Sequence, residues 1–378
     1  MDRESYEAFR NGVRRLALSK IEVHAADYDR ESRFPEESLL AFKDLSLVSL
    51  AFPEDQGGQG GDVRAQVIAL EELARVCATS SLTLMVIWAG LVPVSKHGAR
   101  RLVDEVIRPA TTGDTVASIC LTEPDGGSNL FGLKTRAEKV NGEWLLNGRK
   151  RFITNATRSD WYTVLARTGE KALALFCVHK DDPGLSFGLR ESKMGIKGSP
   201  TADVIFDNCR IPEHRILGEP DQGYRFITNS LNWTRVLIGA QALGIAQGAL
   251  DQTVKYTSER EQFGETISRL QMVRGMVADM ATEIEAGRAL LYRAAEAMDH
   301  DDPAARSLAS MAKLFCSDTA MRATTTAVQL HGGAGYLSDF PVERMMRDAK
   351  ITQIYEGANE IQRLIIAKNI YAHSEKRP

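Results

Sequence analysis

The hydrophobic pattern of this chain changes period twice, and that limits the possible folds more than any single residue does. From Ser5 to about Ala110 apolar residues recur at helical spacing, as Phe9, Val13, Leu16 and Ile21, then Leu39, Leu40 and Phe42, then Val67, Leu70, Leu73 and Val76. At about Gly113 the pattern becomes short apolar or alternating runs, at residues 116–121, 144–146, 151–154, 161–166, 173–178 and 204–206. Helical spacing returns from about Gln222, with Ala240, Leu243, Ala246, Leu250 and Val254 on one face and Met272, Met276, Met280, Ile284 and Leu291 on another. Three parts are expected: helices over 1–113, strands over 114–219, and an antiparallel helical bundle over 220–378, its small residues allowing close packing. Short strands without long intervening helices exclude a doubly wound nucleotide fold and leave a barrel or a sandwich. Asn141-Gly142 marks a hairpin, since both residues tolerate the positive φ of a type I′ turn.

Composition narrows the function classes. With 378 residues and 43% hydrophobic content, the chain can bury a large core divided among two or three domains. A formal net charge of -3 gives no nucleic-acid footprint and no attraction to an anionic membrane. Cys77, Cys120, Cys177, Cys209 and Cys316 are widely spaced, odd in number and mostly in apolar runs, so they read as reduced core thiols of a cytoplasmic protein. They show no metal spacing, and the scattered histidines read as surface or packing residues. The opening MDRESYEAFRNGVRRLALSKI carries charges throughout, which excludes a secretory apolar region. No stretch is expected to reach the ~20 apolar residues of a membrane span.

Five segments could carry chemistry. Glu356 lies in DAKITQIYEGANEIQR, between Tyr355 and Gly357, at the junction of two expected helices. It is either a solvated helix-end residue or a general base whose pKa is raised by apolar neighbours. LTEPDGGS, at 121–128, leaves a strand and turns; it is a plain Pro-Gly turn or a set of N–H groups and hydroxyls, from Thr122 and Ser128, open to an anionic or heteroaromatic ligand. RFITN, at 151–155, sets Phe152 beside a hydroxyl at a strand end, where an aromatic could stack on a planar ring or sit in the core. REQFG, at 260–264, followed by Gln271, offers a guanidinium suited to a pyrophosphate. QLHGGAGY, at 329–336, ends a long helix with more glycines than capping requires. The Gly-rich stretch at 53–62 lacks the spacing and the Lys of a P-loop and reads as a connector. Trp88, Gly90 and Leu91, on a buried helix, are either core residues or, with Tyr355, the lining of a pocket.

LTEPDGGS, RFITN, ERxQFG, QLHGGAGY and IYEGANEIQR, in this order and over nearly the whole chain, resemble the acyl-CoA dehydrogenase family. The resemblance implies a mainly α fold with a central β-barrel domain: a helical domain, the barrel, and a four-helix bundle. It implies FAD held between barrel and bundle in a homotetramer, or a dimer of the same interface. Ile119, Leu121, Thr122, Gly127 and Ser128 would hold the ring and ribityl parts of FAD, and Phe152, Ile153 and Thr154 would flank the ring, with Ala358 and Glu360 nearby. Arg260, Phe263, Leu270, Gln271, Gln329, Gly332 and Gly333 would reach the FAD of a neighbouring subunit.

The chemistry implied is α,β-dehydrogenation of an acyl thioester in fatty-acid metabolism, as in β-oxidation. Glu356 would be the base, and electrons would pass to an electron-transferring flavoprotein. Some relatives carry the base on the helix just before an Arg; here that position is Thr234, leaving Glu356 as the single candidate. Ser128, Asn232, Arg235, Tyr355 and Gly357 would contact substrate. The chain departs from the family pattern at Ala358, usually Thr, at Phe152, more often Trp, and at Asn232, often Asp. The last leaves an acyl carrier protein as an alternative to CoA. Ser46, where Gly is common, reads as a neutral loop change. Flavin monooxygenation on the same fold is a rival reading, against which the retained Glu356 weighs, and a redox-inactive scaffold is another.

Overall fold

In this computed structural model, residues 2–374 are described; Met1 and 375–378, where the first and third expected regions begin and end, lie outside the described residues. Six helices open the chain: α1 (Arg3–Leu16), α2 (Ala25–Arg30), α3 (Glu36–Asp44), α4 (Val63–Ala74), α5 (Ala78–His97) and α6 (Arg100–Ala110). Eight strands follow: β1 (Ala117–Cys120), β2 (Arg136–Val140), β3 (Glu143–Thr154), β4 (Trp161–Arg167), β5 (Leu173–His179), β6 (Leu185–Phe187), β7 (Thr201–Pro212) and β8 (Ile216–Leu217). Then come α7 (Gly223–Glu259), a hairpin of β9 (Glu261–Gln262) and β10 (Glu265–Thr266), α8 (Gln271–Asp299), α9 (Ala305–His331), α10 (Pro341–Thr352) and α11 (Asn359–Ser374). The element type changes from helix to strand between α6 and β1, and back to helix between β8 and α7.

The eight strands form one mixed sheet in the order β6-β7-β3-β2-β4-β5-β8, with β1 added in parallel to β4. Its inner residues, among them Leu146, Tyr162, Val164, Phe176, Val204 and Cys209, make a core separate from the one the helices share. The Asn141-Gly142 hairpin forms as expected, with φ of +51° and +82° between β2 and β3. The runs at 144–146 and 151–154 are one strand, β3, bent by register shifts at 146/148 and 150/153. Those shifts interrupt the alternation, so the run looks broken in sequence. β2, β6 and β8 were missed because they are short or charged.

Helix α5 overturns one expectation. It has 20 residues and a mean hydropathy of 1.5, enough by length and composition for a membrane crossing, yet the whole apolar window is buried inside the protein. Trp88 is fully buried and donates from Nε1 to the Val48 carbonyl at 3.0 Å. A Cβ on Gly90 would lie 2.8 Å from the Ser118 nitrogen, and the Gly90 carbonyl accepts from Thr163 Oγ1 at 2.6 Å. Leu91 is fully buried too. Gly90 therefore packs α5 onto β1 and β4, Trp88 ties it to the segment at 47–51, and the fully buried Trp88 and Leu91 are core residues rather than a pocket wall.

Ser46 is also not neutral, because its φ is +48°. The left-handed region costs a residue with a Cβ about 1–2 kcal/mol. Glycine would keep the carbonyl that accepts from Gln59 Nε2 and Ser49 Oγ, both at 2.8 Å. Ser46→Gly is expected to stabilise the protein by about 1 kcal/mol, after the greater unfolded-state freedom of glycine is deducted; an unchanged or lower melting temperature would refute this.

Candidate active site

Glu356 stands on the turn between α10 and α11 with φ of +54°, followed by Gly357 at +96°. A non-glycine residue stays in that conformation only where its surroundings impose it. The Asn359 N–H donates to the Gln353 carbonyl at 3.0 Å and closes the turn. The Gly357 carbonyl accepts from Lys313 Nζ at 2.9 Å and from Gln362 Nε2 at 2.8 Å. Asn359 accepts from Lys313 Nζ at 2.8 Å and donates to Ser317 Oγ at 2.9 Å and Asp318 Oδ1 at 2.8 Å. Gln353 Nε2 reaches the same Asp318 oxygen at 2.7 Å. Helix α9 thus grips the turn from beneath.

Helix α7 meets the carboxyl from the other side. Thr234 Oγ1 donates to Glu356 Oε2 at 2.6 Å, so α7 steadies the carboxyl. Arg235 is buried, donates to Asn232 Oδ1 at 2.7 Å, and its Nε has no hydrogen-bond partner among the described residues. Glu356 is half-buried by residue, with protein packed densely about its carboxyl. Burial pushes the carboxyl above its ordinary value, against weaker opposing pulls from Thr234, Arg235 and Lys313. Burial also lowers the Arg235 guanidinium and brings the Lys313 ammonium down to about 8, although Glu356 and Asp318 oppose the latter. The Tyr355 hydroxyl donates to Gln241 Oε1, and Gln241 Nε2 donates to the Ala78 carbonyl at 2.9 Å. A carboxylate so placed is a stronger base than a solvated one.

Asp348, on the helix α10 that leads into this turn, is buried and accepts from the Ile196 N–H at 2.5 Å. Burial raises its carboxyl to about 6 from 3.8. A raised folded-state value means that the stabilising contribution is complete below 3.8 and is lost as pH rises through about 6. Asp348→Asn should remove that loss. The melting difference between variant and native protein should move by about 2–3 kcal/mol in the variant's favour from pH 4 to pH 7.5; a pH-independent difference would contradict it.

The second group of residues lies on the sheet. In LTEPDGGS the Glu123 and Gly126 N–H groups and carbonyls pair in a tight turn, at 3.0 and 3.1 Å. Beneath it Glu123 accepts from the Lys134 N–H at 2.6 Å, the Thr135 N–H at 3.0 Å and Lys150 Nζ at 2.8 Å. Burial alone would raise the Glu123 carboxyl, but Lys150 and those donors overcome it and hold it below the ordinary range. The Thr122 carbonyl accepts from the Arg151 N–H at 2.8 Å, which ties the turn to RFITN. Phe152 has φ of +59° and is 55% exposed, with the Arg151 guanidinium 4.7 Å from its ring centroid. Ile153 is buried behind it, Ile119, Leu121, Thr122 and Thr154 are half-buried, and Gly127 and Ser128 are exposed.

The third group sits at the far end of the bundle. Tyr256 of α7 stacks on His331 of α9 with centroids 4.3 Å apart, so Arg260 and the Gln329–Gly333 segment share that end. Arg260, Gln271, Gln329, Gly332 and Gly333 are exposed, Leu270 is half-buried, and Phe263 is 91% exposed with φ of +55°. From Arg235 to Arg260, helix α7 spans about 37 Å at a rise of ~1.5 Å per residue. This group therefore does not join Glu356 within one chain, whereas Asn232, Thr234 and Arg235 do.

Family models for the N-terminal, middle and C-terminal domains of acyl-CoA dehydrogenases match residues 3–114, 118–209 and 221–371. The chain belongs to the acyl-CoA dehydrogenase family. The Mycobacterium tuberculosis protein described as "Probable acyl-CoA dehydrogenase FadE25" is 46% identical over 97% of this chain and 95% of its own length. Cyclohexane-1-carbonyl-CoA dehydrogenase of Geobacter metallireducens is 42% identical over 95% of each. Among solved structures, butyryl-CoA dehydrogenase from Megasphaera elsdenii superimposes with a TM-score of 0.93 at 34% identity, covering 97% of this chain and 98% of that one.

Acyl-CoA dehydrogenases are FAD-dependent flavoprotein oxidoreductases, and the residues present fit that cofactor. A Cβ placed on Gly126, Gly332 or Gly333 meets nothing within 4 Å, so backbone there faces open space a ligand can enter. Phe152 offers an exposed ring face beside that loop. Sequence reasoning missed Glu123, Lys150, Lys313 and Asn359. Two signals could have found the lysines: Lys150 shares the parity of Trp144 and Leu146 on β3, and Lys313 lies on the buried stripe of Ala309, Ala312 and Cys316 on α9. All five cysteines are free and buried, as expected.

Proposed function

We propose that the chain oxidises a saturated acyl-CoA to its trans-2-enoyl thioester, with Glu356 removing the α-proton. The observation that carries this reading is the Glu356 carboxyl, raised by burial and held by Thr234 on an imposed backbone conformation. An α-proton is weakly acidic, so its acceptor must be aligned without being neutralised by a tight ion pair. Arg235 donates to Asn232, which leaves the carboxylate oxygens to Thr234 and the substrate. The Glu356 N–H makes no backbone hydrogen bond among the described residues and is the proposed donor to the thioester carbonyl. FAD, when bound, supplies the acceptor for the β-hydride.

Ser128, Asn232, Arg235, Tyr355 and Gly357 are the proposed substrate contacts. Thr122, Gly127, Ser128 and Phe152–Thr154 would hold the ring end of FAD, beside Ile119, Leu121, Ala358 and Glu360. Arg260, Phe263, Leu270, Gln271, Gln329, Gly332 and Gly333 would hold the FAD of a second copy. The separation along α7 supports that division and hence a homotetramer or a dimer. Relatives named for butyryl-CoA and cyclohexane-1-carbonyl-CoA favour CoA as carrier and a short or cyclic acyl group. An electron-transferring flavoprotein is the proposed electron acceptor, in the cytoplasm, within fatty-acid metabolism.

The test is an anaerobic titration of the holoenzyme with butanoyl-, isobutanoyl-, cyclohexane-1-carbonyl- and octanoyl-CoA, followed by flavin absorbance near roughly 450 nm. Bleaching is expected with a short or cyclic chain; a flavin bleached by none of them would exclude this substrate class and turn attention to carrier-protein thioesters. Arg260→Ala should lose flavin and oligomer stability together, and unchanged flavin content would remove Arg260 from the FAD site.

A further inference from the structure

Lys313 has no solvent exposure and no place in the reaction as described, yet it lies directly under the turn that bears Glu356. A buried ammonium is costly unless its neighbours use its charge and its protons. Here two of its protons are used on one element: Nζ donates to the Gly357 carbonyl at 2.9 Å and to Asn359 Oδ1 at 2.8 Å. Those acceptors flank Ala358 on the strained side of the turn, so the lysine spans from the residue after Glu356 to the first residue of α11. Asn359 is held in turn by Ser317 and Asp318, from the same helix as Lys313.

We propose that Lys313 is the positioning residue of the base: it clamps the left-handed turn from which Glu356 projects, and its ammonium, held on the Gly357 carbonyl, places a positive charge one residue from the base. The proposal rests on Glu356 being the base. The groups that bear on the pair come from three elements besides the turn: Thr234 and Arg235 on α7, Asp318 on α9, and Glu360 on α11 all act on Glu356 or on Lys313. Arg235 is the other cation near Glu356, but its recorded hydrogen bond is spent on Asn232, and it touches no atom of the Gly357–Asn359 backbone at hydrogen-bond distance. The clamp is therefore the work of Lys313, with Gln362 as a second donor to the Gly357 carbonyl.

Two variants separate charge from clamp. Lys313→Gln removes the charge and retains a donor, one bond shorter in reach, whereas Lys313→Met removes both. In the FAD-loaded protein without substrate, an infrared titration can follow the protonated carboxyl band of Glu356, assigned by its loss in Glu356→Gln. Both Lys313 variants should raise its midpoint by about one pH unit or more, since an opposite charge has been withdrawn. With the acyl-CoA that bleaches the flavin fastest, Lys313→Met should also reduce kcat by about 10- to 100-fold, as expected for a misaligned reacting group, with KM little changed. Lys313→Gln should retain more of kcat than Lys313→Met. An unmoved midpoint in the folded Gln variant, or equal kcat in native and Met proteins, would overturn the proposal. If instead Glu356→Gln itself remains active, the assignment of the base fails, a result the infrared midpoints do not depend on.

Discussion

Glu356→Gln is expected to bind FAD and fold as the native protein does, and to lose acyl-CoA oxidation by about 100- to 10,000-fold, the range over which a positioned base acts. Glutamine has nearly the same shape and can still accept the Thr234 hydrogen bond, so the turn and its φ of +54° should survive. What disappears is the lone pair that takes a proton. The informative measurement is exchange of the substrate α-proton with solvent deuterium in the bound complex, which isolates proton abstraction from electron transfer. Full exchange in the variant would remove Glu356 from the mechanism. Because burial raises the native carboxyl, the acidic limb of the rate profile should lie above the ordinary glutamate range, with activity rising as the carboxyl ionises.

Lys150→Met should produce the largest structural effect. Lys150 is fully buried on β3, and among the described residues its Nζ bonds Glu123 Oε1 and the Leu121 carbonyl, at 2.8 and 3.1 Å. Removing one partner of a buried pair leaves the other charge uncompensated and costs about 3–5 kcal/mol. The loss falls on the loop of Thr122, Gly127 and Ser128, so flavin content should drop with stability. The double variant Lys150→Met with Glu123→Gln should recover much of the loss, since no lone buried charge remains. A single variant as stable and as yellow as the native protein would show that the pair does not hold the loop.

Much of the fold was legible because its largest signals are periodic. The helical stripes, the strand runs and the Asn141-Gly142 turn each encode local geometry that tertiary packing did not override. The β3 strand was harder to read, since its register shifts near 147 and 151–152 break the parity that defines a strand, and the second of them turns Phe152 outward. The motif residues at the site were legible through their family pattern. Glu123 and Lys313 were not, because a charged residue reads as solvated until its partner is known, and both partners lie far along the chain. Trp88 stayed open for the opposite reason: an aromatic on a buried helix fits a pocket wall or a core, and its full burial and its bond to Val48 decide for the core.

Helix α5 bears on how the chain is made. A segment that is apolar on every side has no face to offer water, so it cannot shelter itself when it leaves the ribosome. Its covers include its neighbours α4 and α6, β1 and β4, and α7, the last bonded through Gln241 to the Ala78 carbonyl. More than a hundred further residues must be synthesised before α7 exists, a wait of roughly 10 s at ordinary translation speeds. Until then α4 and α6 shelter part of the helix, and the surface that it turns to the sheet and to α7 stays open to water.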